Sequence, residues 1–361
     1  RLMCFAVGHI HNTDMGGAVP ASLSRALTEV HQEGIRIPPC KLVDGGVMDE
    51  KLLAVMLRNV RMPEQNWGDL KAQIASLKTA ERKMHEAIAR FGADMVHAGM
   101  YGVLDLAERQ ARRLFASIDD GEYGFSDYID EDSPGGVPCR LKLTIRVRGE
   151  EAEFDFSGSD PQLQSALNMP TGGLPRHILP LVGYNYVVYS LDPTGALNCG
   201  LSRPVRCILP EGSVVNPVHP AATGMRSLTC TRIQGIVIGA FSRALPGRLP
   251  AGPAGGGGIL NVRTTDARTG RLAMASINPI TGGGGGAANG DGQDGSNSFL
   301  KNTPVEITEA EVPIRVLSYG LQPDSGGPGL HRGGLGTQMT FQVFTPNSVV
   351  TARNRDRVRF S

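Results

Sequence analysis

The sequence has few aromatic residues and no excess charge of either sign, which argues against two classes of partner. Of its 361 residues 5% are aromatic, and 36 lysines and arginines stand against 35 aspartates and glutamates. A nucleic-acid-binding protein is expected to carry a basic stripe or a row of aromatic stacking surfaces. No apolar run approaches the roughly 18 residues that a membrane-spanning helix needs. We therefore expect no nucleic acid and no membrane among the partners.

Several motifs of enzyme sites are also missing. No G-x-S-x-G motif is present, which argues against a serine hydrolase. No G-x-x-x-x-G-K-[ST] motif is present, and no lysine closely follows the glycine clusters at residues 255–258 and 282–286. We interpret these clusters as positions of tight turns and close strand packing rather than of phosphate binding. The six cysteines form no C-x-x-C pair, which predicts reduced thiols, a cytoplasmic location and no cysteine-bound zinc.

Residues 49–119 are predicted to form a helical layer. One long helix within this region carries a stripe of apolar residues at helical spacing: Leu70, Ile74, Leu77, Met84, Ile88 and Phe91. Because the stripe is short, we predict that it packs against the protein core rather than forming a coiled-coil seam.

The second half of the chain is predicted to be rich in β-structure. From Cys139 the apolar residues alternate with charged ones up to Val147, and a turn at residues 149–150 completes a hairpin. Buried helices are expected at residues 174–191 and 225–244, and short strands between glycine clusters after residue 246. The predicted class is α+β, with a helical layer beside a glycine-rich β region of short strands and a hairpin.

We divide the chain into three parts. Residues 1–48 form a strand and loop segment with the candidate metal site, residues 49–120 the helical region, and residues 121–361 the glycine-rich α+β domain. The chain begins in an apolar run, residues 2–7, that we predict to be a strand. It ends within a similar pattern, so we expect flanking sequence from a longer chain.

The densest group of potential metal ligands follows directly after this predicted strand. His11 and Asp14 are three residues apart, so an imidazole and a carboxylate at this position can converge on one divalent ion. Gly16 and Gly17 let the backbone turn away from that ion. A histidine and aspartate set without cysteine suits zinc, manganese or iron. The alternative is that these polar side chains are satisfied by hydrogen bonds within a loop.

Two further candidates come shortly after this group. His31 and Glu33 could supply an additional ligand or a general base. His9 is expected to have a packing or supporting role rather than to bind the metal.

Six ordered blocks of this sequence resemble the hydantoinase B/oxoprolinase family. They are residues 8–17, 33–42, 155–159, 197–200 with 203–204, 302–306, and 324–329 with 332–334. Each block alone is short, but together they extend over nearly the whole chain. The sequence is therefore identified as a member of this family by resemblance.

The resemblance implies a subunit that pairs with a hydantoinase A-like partner, and that partner carries the ATP site. In the family, the histidine and aspartate of an H-x-x-D motif hold a divalent metal, which here implies His11 and Asp14. His31 is our candidate for a third ligand. A further aspartate ligand from an upstream Asn-Asp-Pro segment is expected, and that segment is absent from this sequence.

The resemblance also implies the reaction class. We expect a metal-dependent subunit of an ATP-dependent enzyme that opens a small cyclic amide, such as hydantoin, 5-oxoproline or a lactam. Phosphorylation of the amide oxygen would turn it into a good leaving group. The alternatives are a subunit of an acetone- or acetophenone-type ketone carboxylase, and a non-catalytic scaffold in a heteromeric complex.

Overall fold

Three consecutive helices fill the region that is predicted to be helical. They are α1 (Glu50–Arg58), α2 (Pro63–Phe91) and α3 (Ala93–Ala116), and they follow a short hairpin of β1 (Val43–Asp44) and β2 (Val47–Met48). Asp49 begins α1 because its carboxylate accepts hydrogen bonds from the first backbone amides of the helix. The computed structural model describes residues 1–130, 136–296 and 303–353, without the side chains of residues 278–280 and 353.

The apolar stripe of α2 does not lie in a buried core, so the prediction of core packing is wrong. Among the described residues of α2, the buried one is Asn66, and Phe91 at the end of the stripe is 56% exposed. The stripe instead lies beside the first residues of the chain, where Gly8 approaches the Leu77 side chain. A single extended segment covers less apolar surface than a sheet or a second helix would.

The predicted strand at residues 2–7 is also wrong. These residues are extended, but the first strand among the described residues is β1. Arg1 pairs with Asp94 at 2.9 Å, and Gln65 donates a hydrogen bond to Thr13 at 3.0 Å, so the segment runs along the helices. A helix uses its backbone donors and acceptors internally, and therefore offers a neighbouring chain no edge for strand pairing.

A four-stranded sheet carries the main core. It contains β3 (Gly121–Ile129), β4 (Cys139–Arg148), β5 (Glu151–Asp155) and β6 (Val205–Ile208), hydrogen-bonded in the order β3-β4-β5-β6. The apolar residues of β4 are buried at alternate positions, and the turn after it joins β4 to β5 as an antiparallel hairpin. Both features confirm the sequence prediction. Strand β6 runs parallel to β5.

Two buried helices pack on this sheet. Helix α4 (Ile178–Leu191) begins later than predicted because His177 caps it, its Nδ1 accepting from the Leu179 amide at 3.2 Å. Helix α5 (Arg226–Ala244) matches its predicted range within one residue. The centre of the core is a group of aromatic rings from α3, β5, α4 and α5, with neighbouring centroids 5.6–6.4 Å apart: Phe115, Phe154, Tyr184 and Phe241.

The remaining strands form smaller sheets around a second core. They are β7 (Gly257–Thr265), β8 (Leu272–Thr281), β9 (Ile314–Leu321), β10 (Thr337–Val343) and β11 (Val349–Arg353), with α6 (Val305–Glu311) before β9. Strand β7 lies between β11 and β8, and β9 pairs with β10. The mixture of helices and small sheets confirms the predicted α+β class.

The glycine clusters bring backbone segments into direct contact. A Cβ atom on Gly283 would collide with the carbonyl of Gly334, and one on Gly285 would collide with Ala251. The amide of Gly284 donates to Gln293 at 2.9 Å, and the amide of Gly334 donates to Gly284 at 2.9 Å. The interpretation of the cluster at residues 282–286 as a place of close backbone packing is therefore confirmed.

All six cysteines lie in the described part of the chain as free thiols. No described helix is both long and apolar enough to cross a membrane. The C-terminal half of α3 belongs to the same core as β4. The division of the chain at residue 120 stays a prediction.

The crossing of α4 and α5 provides a test of the core. A Cβ on Gly183 in α4 would lie 2.9 Å from the Gln234 Cα and the Val237 Cβ in α5, whereas one on Gly235 would meet no atom within 4 Å. We expect Gly183→Ala to lower the free energy of unfolding by about 1–3 kcal/mol through overpacking. Gly235→Ala, the control, is expected to raise it by about 0.5–1 kcal/mol because alanine favours the helix. Urea unfolding measures the free energy of unfolding of both variants. A change in the same direction in both would contradict the close contact between α4 and α5.

Candidate functional site

A cavity of about 820 Å³ lies where the two cores meet. Its walls come from the loop of the predicted metal residues, the first turns of α4 and α5, and strands β7 and β8. This volume is in the range of small-molecule sites, about 300–1,000 Å³. The cavity therefore joins segments that are far apart in the sequence into one candidate site.

Helix α5 contributes one polar face to the cavity. The lining residues of α5 recur at helical spacing: Arg226, Ser227, Cys230, Thr231 and Gln234. Arg226 lies in the first turn, and its Nη1 is 3.5 Å from the Thr223 carbonyl oxygen. Burial raises the pKa of the Cys230 thiol to about 11, so this cysteine is protonated at neutral pH and is a poor nucleophile.

Strand β7 presents alternate residues to the opposite wall. Gly257, Ile259 and Asn261 line the cavity, while Leu260 and Val262 on either side of Asn261 pack in the second core. From the neighbouring strand β8, Ser276 lies opposite Asn261 and donates its hydroxyl to the Asn261 Oδ1 at 2.5 Å. This wall is apolar except for the Asn261 and Ser276 pair.

The loop at residues 10–15 supplies His11 to the cavity. His11 is an exposed residue, and it lines the cavity together with Asn12 and Thr13. Gly16 makes the turn after them with a φ of 80°, and a Cβ there would collide with the Asn59 carbonyl. The predicted turn away from the ligand group is therefore present, held against the end of α1.

Asp14 lies beneath this loop rather than in the cavity. Its side chain is completely buried. Oδ1 accepts from the Ala21 amide at 3.0 Å and from the Arg61 guanidinium at 2.8 Å, and Oδ2 accepts from the Gly16 amide at 3.0 Å and the Arg61 amide at 2.8 Å. Four donors thus occupy the carboxylate, which fastens the loop to the segment between α1 and α2.

The two later candidates are separated by the fold. His31 is exposed and lies edge-on to His219, with ring centroids 5.5 Å apart, and it does not line the cavity. Glu33 does line the cavity, and its Oε1 accepts from the Gly224 amide at 2.5 Å and the Thr223 amide at 2.7 Å. Among the four sequence candidates, His11 and Glu33 therefore share the cavity.

Glu33 has a perturbed acidity. Burial raises the pKa of its carboxyl group above the ordinary value, and the amides of Gly224 and Thr223 and the charge of Arg226 offset part of this rise. A carboxyl group with a raised pKa in a cavity is a candidate for proton transfer. Oε2 makes one longer contact, 3.4 Å to the Thr223 hydroxyl, and is the oxygen with room to accept a proton.

The surroundings of Asp14 decide whether it fits the predicted metal. A ligand oxygen must offer a lone pair, whereas the Asp14 oxygens are taken up by four donors and a cationic partner. In this arrangement Asp14 does not fit as a ligand. Throughout residues 1–130, 136–296 and 303–353, no three histidine, cysteine, aspartate or glutamate residues are grouped so that they could hold a metal ion. Binding of a metal by His11, Asp14 and His31 stays a prediction.

Four polar residues of the site are not among the sequence candidates: Arg61, Arg226, Gln234 and Asn261. Asn261 had a detectable signal, since it is a single carboxamide between Leu260 and Val262 in an apolar stretch. Arg226 begins a helix that was predicted. Arg61 had no such signal, because its contact with Asp14 joins residues 47 positions apart.

The clamp around Asp14 gives a stability prediction. Asp14→Asn replaces two acceptor sites by donors opposite Arg61, so we expect the free energy of unfolding to fall by roughly 3 kcal/mol. Asp44→Asn is the matched control, because Asp44 forms an exposed pair with Lys41 at 3.0 Å, and its loss is expected to cost below about 1 kcal/mol. Denaturant titration of both variants checks this, and an Asp14 effect as small as that of Asp44 would contradict the clamp.

The sequence matches one protein family along its whole length. The family profile described as Hydantoinase B/oxoprolinase covers residues 1–361. The putative D-/L-hydantoinase B subunit of Pseudomonas sp. (strain NS671) is 29% identical over 350 residues, which are 93% of this chain and 58% of that protein. The caprolactamase beta subunit of Pseudomonas jessenii is 30% identical over 356 residues, which are 95% of this chain and 59% of that protein. The chain thus spans about six-tenths of the length of these relatives.

Two solved structures share the fold. The crystal structure of ATP-dependent caprolactamase from Pseudomonas jessenii superposes with a TM-score of 0.82 at 28% identity, over 91% of this chain and 57% of that one. The nucleotide-free acetone carboxylase structure superposes with a TM-score of 0.85 over 95% of this chain and 48% of that one, and at 18% identity this likeness concerns the fold alone. Because the family profile matches the whole chain, the chain belongs to the hydantoinase B/oxoprolinase family.

Proposed function

We propose that this chain is the B-type component of an ATP-dependent enzyme that hydrolyses a small cyclic amide, such as hydantoin, 5-oxoproline or a lactam. Its partner is a hydantoinase A-like subunit that carries the ATP site, and the complex works in the cytoplasm. Family membership and the similarity to the B component of a hydantoinase and the beta component of a caprolactamase support the reaction class. The single observation that carries the proposal is the cavity that His11 and Glu33 share.

The proposed reaction divides into an activation stage and a hydrolysis stage. An unstrained cyclic amide resists attack because resonance stabilises its carbonyl group. Phosphorylation of the amide oxygen at the partner's ATP site weakens this resonance and activates the ring carbon. Water then adds to that carbon, and a base must take up the proton that the water loses. The ring C–N bond breaks as a proton goes to the nitrogen, and a second water hydrolyses the resulting acyl phosphate to the carboxylate and inorganic phosphate.

Glu33 is the candidate for that base. It lies in the cavity, its pKa is raised by burial, and the two amides on Oε1 hold its side chain in place. His11 is the candidate for orienting the water or the substrate. The predicted divalent metal, zinc, manganese or iron, remains part of the proposal. Because four donors occupy Asp14, we assign no step to that metal.

Two alternatives lead to different products. A ketone carboxylase would consume ATP with bicarbonate and a ketone, and a scaffold subunit would add nothing to the activity of its partner. Sequence identity favours the hydrolase, because the caprolactamase structure is 28% identical to this chain and the acetone carboxylase structure 18%.

The first test is the release of ADP by the complex of this chain with its A-type partner. We expect ADP and ring-opened product with a cyclic amide, and no ADP above background with acetone and bicarbonate. His11→Ala should lower the rate by at least about 100-fold if the histidine acts on the reacting atoms. His85→Ala, an exposed position on α2 outside the cavity, is the control and should keep the rate. ADP release with acetone and bicarbonate but not with a cyclic amide would contradict the hydrolase and support the carboxylase.

The second test follows the ionisation of Glu33. Because the folded protein raises this pKa, the protonated form is favoured in the folded state. The resulting contribution to the free energy of unfolding is fully present when the pH is below 4.5, the pKa of the unfolded chain. It is lost as the pH rises through the higher pKa of the folded protein. Relative to Glu33→Gln, which keeps an acceptor for the two amides, the wild type should therefore lose stability as the pH rises over this window.

The same variant separates a base from a structural residue. If Glu33 is the base, Glu33→Gln should lower kcat by about 100-fold or more and remove the acid limb of the pH–rate profile. Urea unfolding across the pH range and steady-state kinetics of the complex measure the two effects. An unchanged kcat with the stability effect present would leave Glu33 as a tether of the loop before α5.

A further inference from the structure

Asn261 is a buried carboxamide in the middle of a three-stranded sheet. It lies in β7, paired with Thr351 of β11 on one side and Ser276 of β8 on the other. Its side chain is 5% exposed, although the residues on both sides of it in β7 are apolar. Polar side chains are buried at such positions at a cost, which is offset only when their hydrogen bonds are made.

The oxygen of this carboxamide has a hydrogen-bond partner among the described residues, and its nitrogen has none. Oδ1 accepts from the Ser276 hydroxyl at 2.5 Å, while Nδ2 is buried and has no hydrogen-bond partner among the described residues. If the amide is turned round, Nδ2 donates to Ser276 and Oδ1 is left instead. Either way, one polar atom remains unsatisfied, at a cost of about 1–3 kcal/mol.

The carboxamide lies on the cavity side of the sheet. Asn261 and Ser276 both line the cavity, whereas Leu260 and Val262 pack on the other face. Gln234 of α5, which is 7% exposed, brings a second carboxamide to the same cavity. Two amide side chains from different elements therefore converge on one small-molecule space.

We infer that Asn261 binds the amide group of the ligand through its Nδ2, with the ligand carbonyl oxygen as acceptor. In the orientation that the structure shows, the Ser276 hydroxyl occupies Oδ1 and leaves Nδ2 for the ligand. Gln234 then offers an acceptor for the ring N–H, so a cyclic amide satisfies both side chains, whereas a ketone of the same ring size satisfies only the donor. The class of ligand in this inference rests on the proposed function. The binding position itself rests on the geometry of Asn261.

The test measures binding, which does not require turnover. δ-Valerolactam and cyclohexanone, which have the same ring size, are titrated into the full chain by calorimetry and by saturation-transfer NMR. We expect the lactam to bind the wild type more tightly than the ketone does. Asn261→Leu should weaken lactam binding by about 10- to 100-fold, the equivalent of one lost buried hydrogen bond.

Two further variants guard against an effect of misfolding. Asn261→Asp keeps the shape and the acceptor for Ser276 but lacks the donor, so it should also weaken lactam binding by at least about 10-fold. Thr264→Val removes another buried polar group of β7, which bonds to Ser348 at 2.7 Å on the opposite face, and should leave lactam binding unchanged. Equal losses in all three variants would mean general damage to the sheet and would overturn the inference.

The remaining outcomes separate this inference from the proposed function. Unchanged lactam binding in Asn261→Leu would overturn the inference and indicate that Nδ2 is satisfied by water alone. Absence of lactam binding by the wild type would overturn it as well. Weakened lactam binding in Asn261→Leu and Asn261→Asp, in a complex that releases no ADP with any cyclic amide, would support the binding position and refute the hydrolase.

Discussion

The buried carboxylate of Asp14 is the interaction on which the candidate site depends. It ties the loop at residues 10–15 to Arg61, which also donates to the carbonyls of Gly16 and Gly17 at 3.1 and 2.7 Å. Asn66, the buried residue at the start of α2, donates to the Asp14 carbonyl at 2.9 Å. A charge taken out of water is stable only when it is paired and fully hydrogen-bonded, and here both conditions are met. The position of His11 is therefore a consequence of an ion pair whose carboxylate is buried.

A second tether closes the other side of the cavity. Glu33 accepts the amides of Thr223 and Gly224, immediately before α5, so the loop after the predicted metal residues is joined to the helix that supplies the polar wall. Glu33 and Thr223 are 190 residues apart in the sequence, about half of the chain. Loss of this contact would free the N-terminal loop from α5 while leaving the aromatic core intact, because the core rings lie outside the two joined segments, with Phe241 in the C-terminal half of α5. Stability of the fold and order of the site are thus separable.

The elements that the sequence predicted well are those determined by local pattern. Helix α5 and the hairpin of β4 and β5 are recognisable because periodic burial and a turn agree over a short stretch. The prediction of a strand at residues 2–7 was wrong because strand formation needs the edge of a partner strand, which no local pattern can supply. The prediction that the α2 stripe packs against the core was wrong for a related reason, since an apolar face does not specify what covers it. In the site, His11 and Glu33 were found by the density of ionisable groups, whereas Arg61 and Gln234 depend on contacts between distant segments.

The charges of the cavity indicate what kind of molecule it suits. Its charged lining residues are Glu33, Arg226 and Glu311, and Arg226 lies close enough to Glu33 to lower its pKa. A triphosphate requires several cationic or backbone N–H donors around it, and one arginine offset by two carboxylates does not provide them. The walls otherwise consist of apolar side chains, hydroxyls and carboxamides, which match a neutral polar ring. Under the proposed function, this charge balance favours binding of a neutral cyclic amide in this cavity and of ATP outside it.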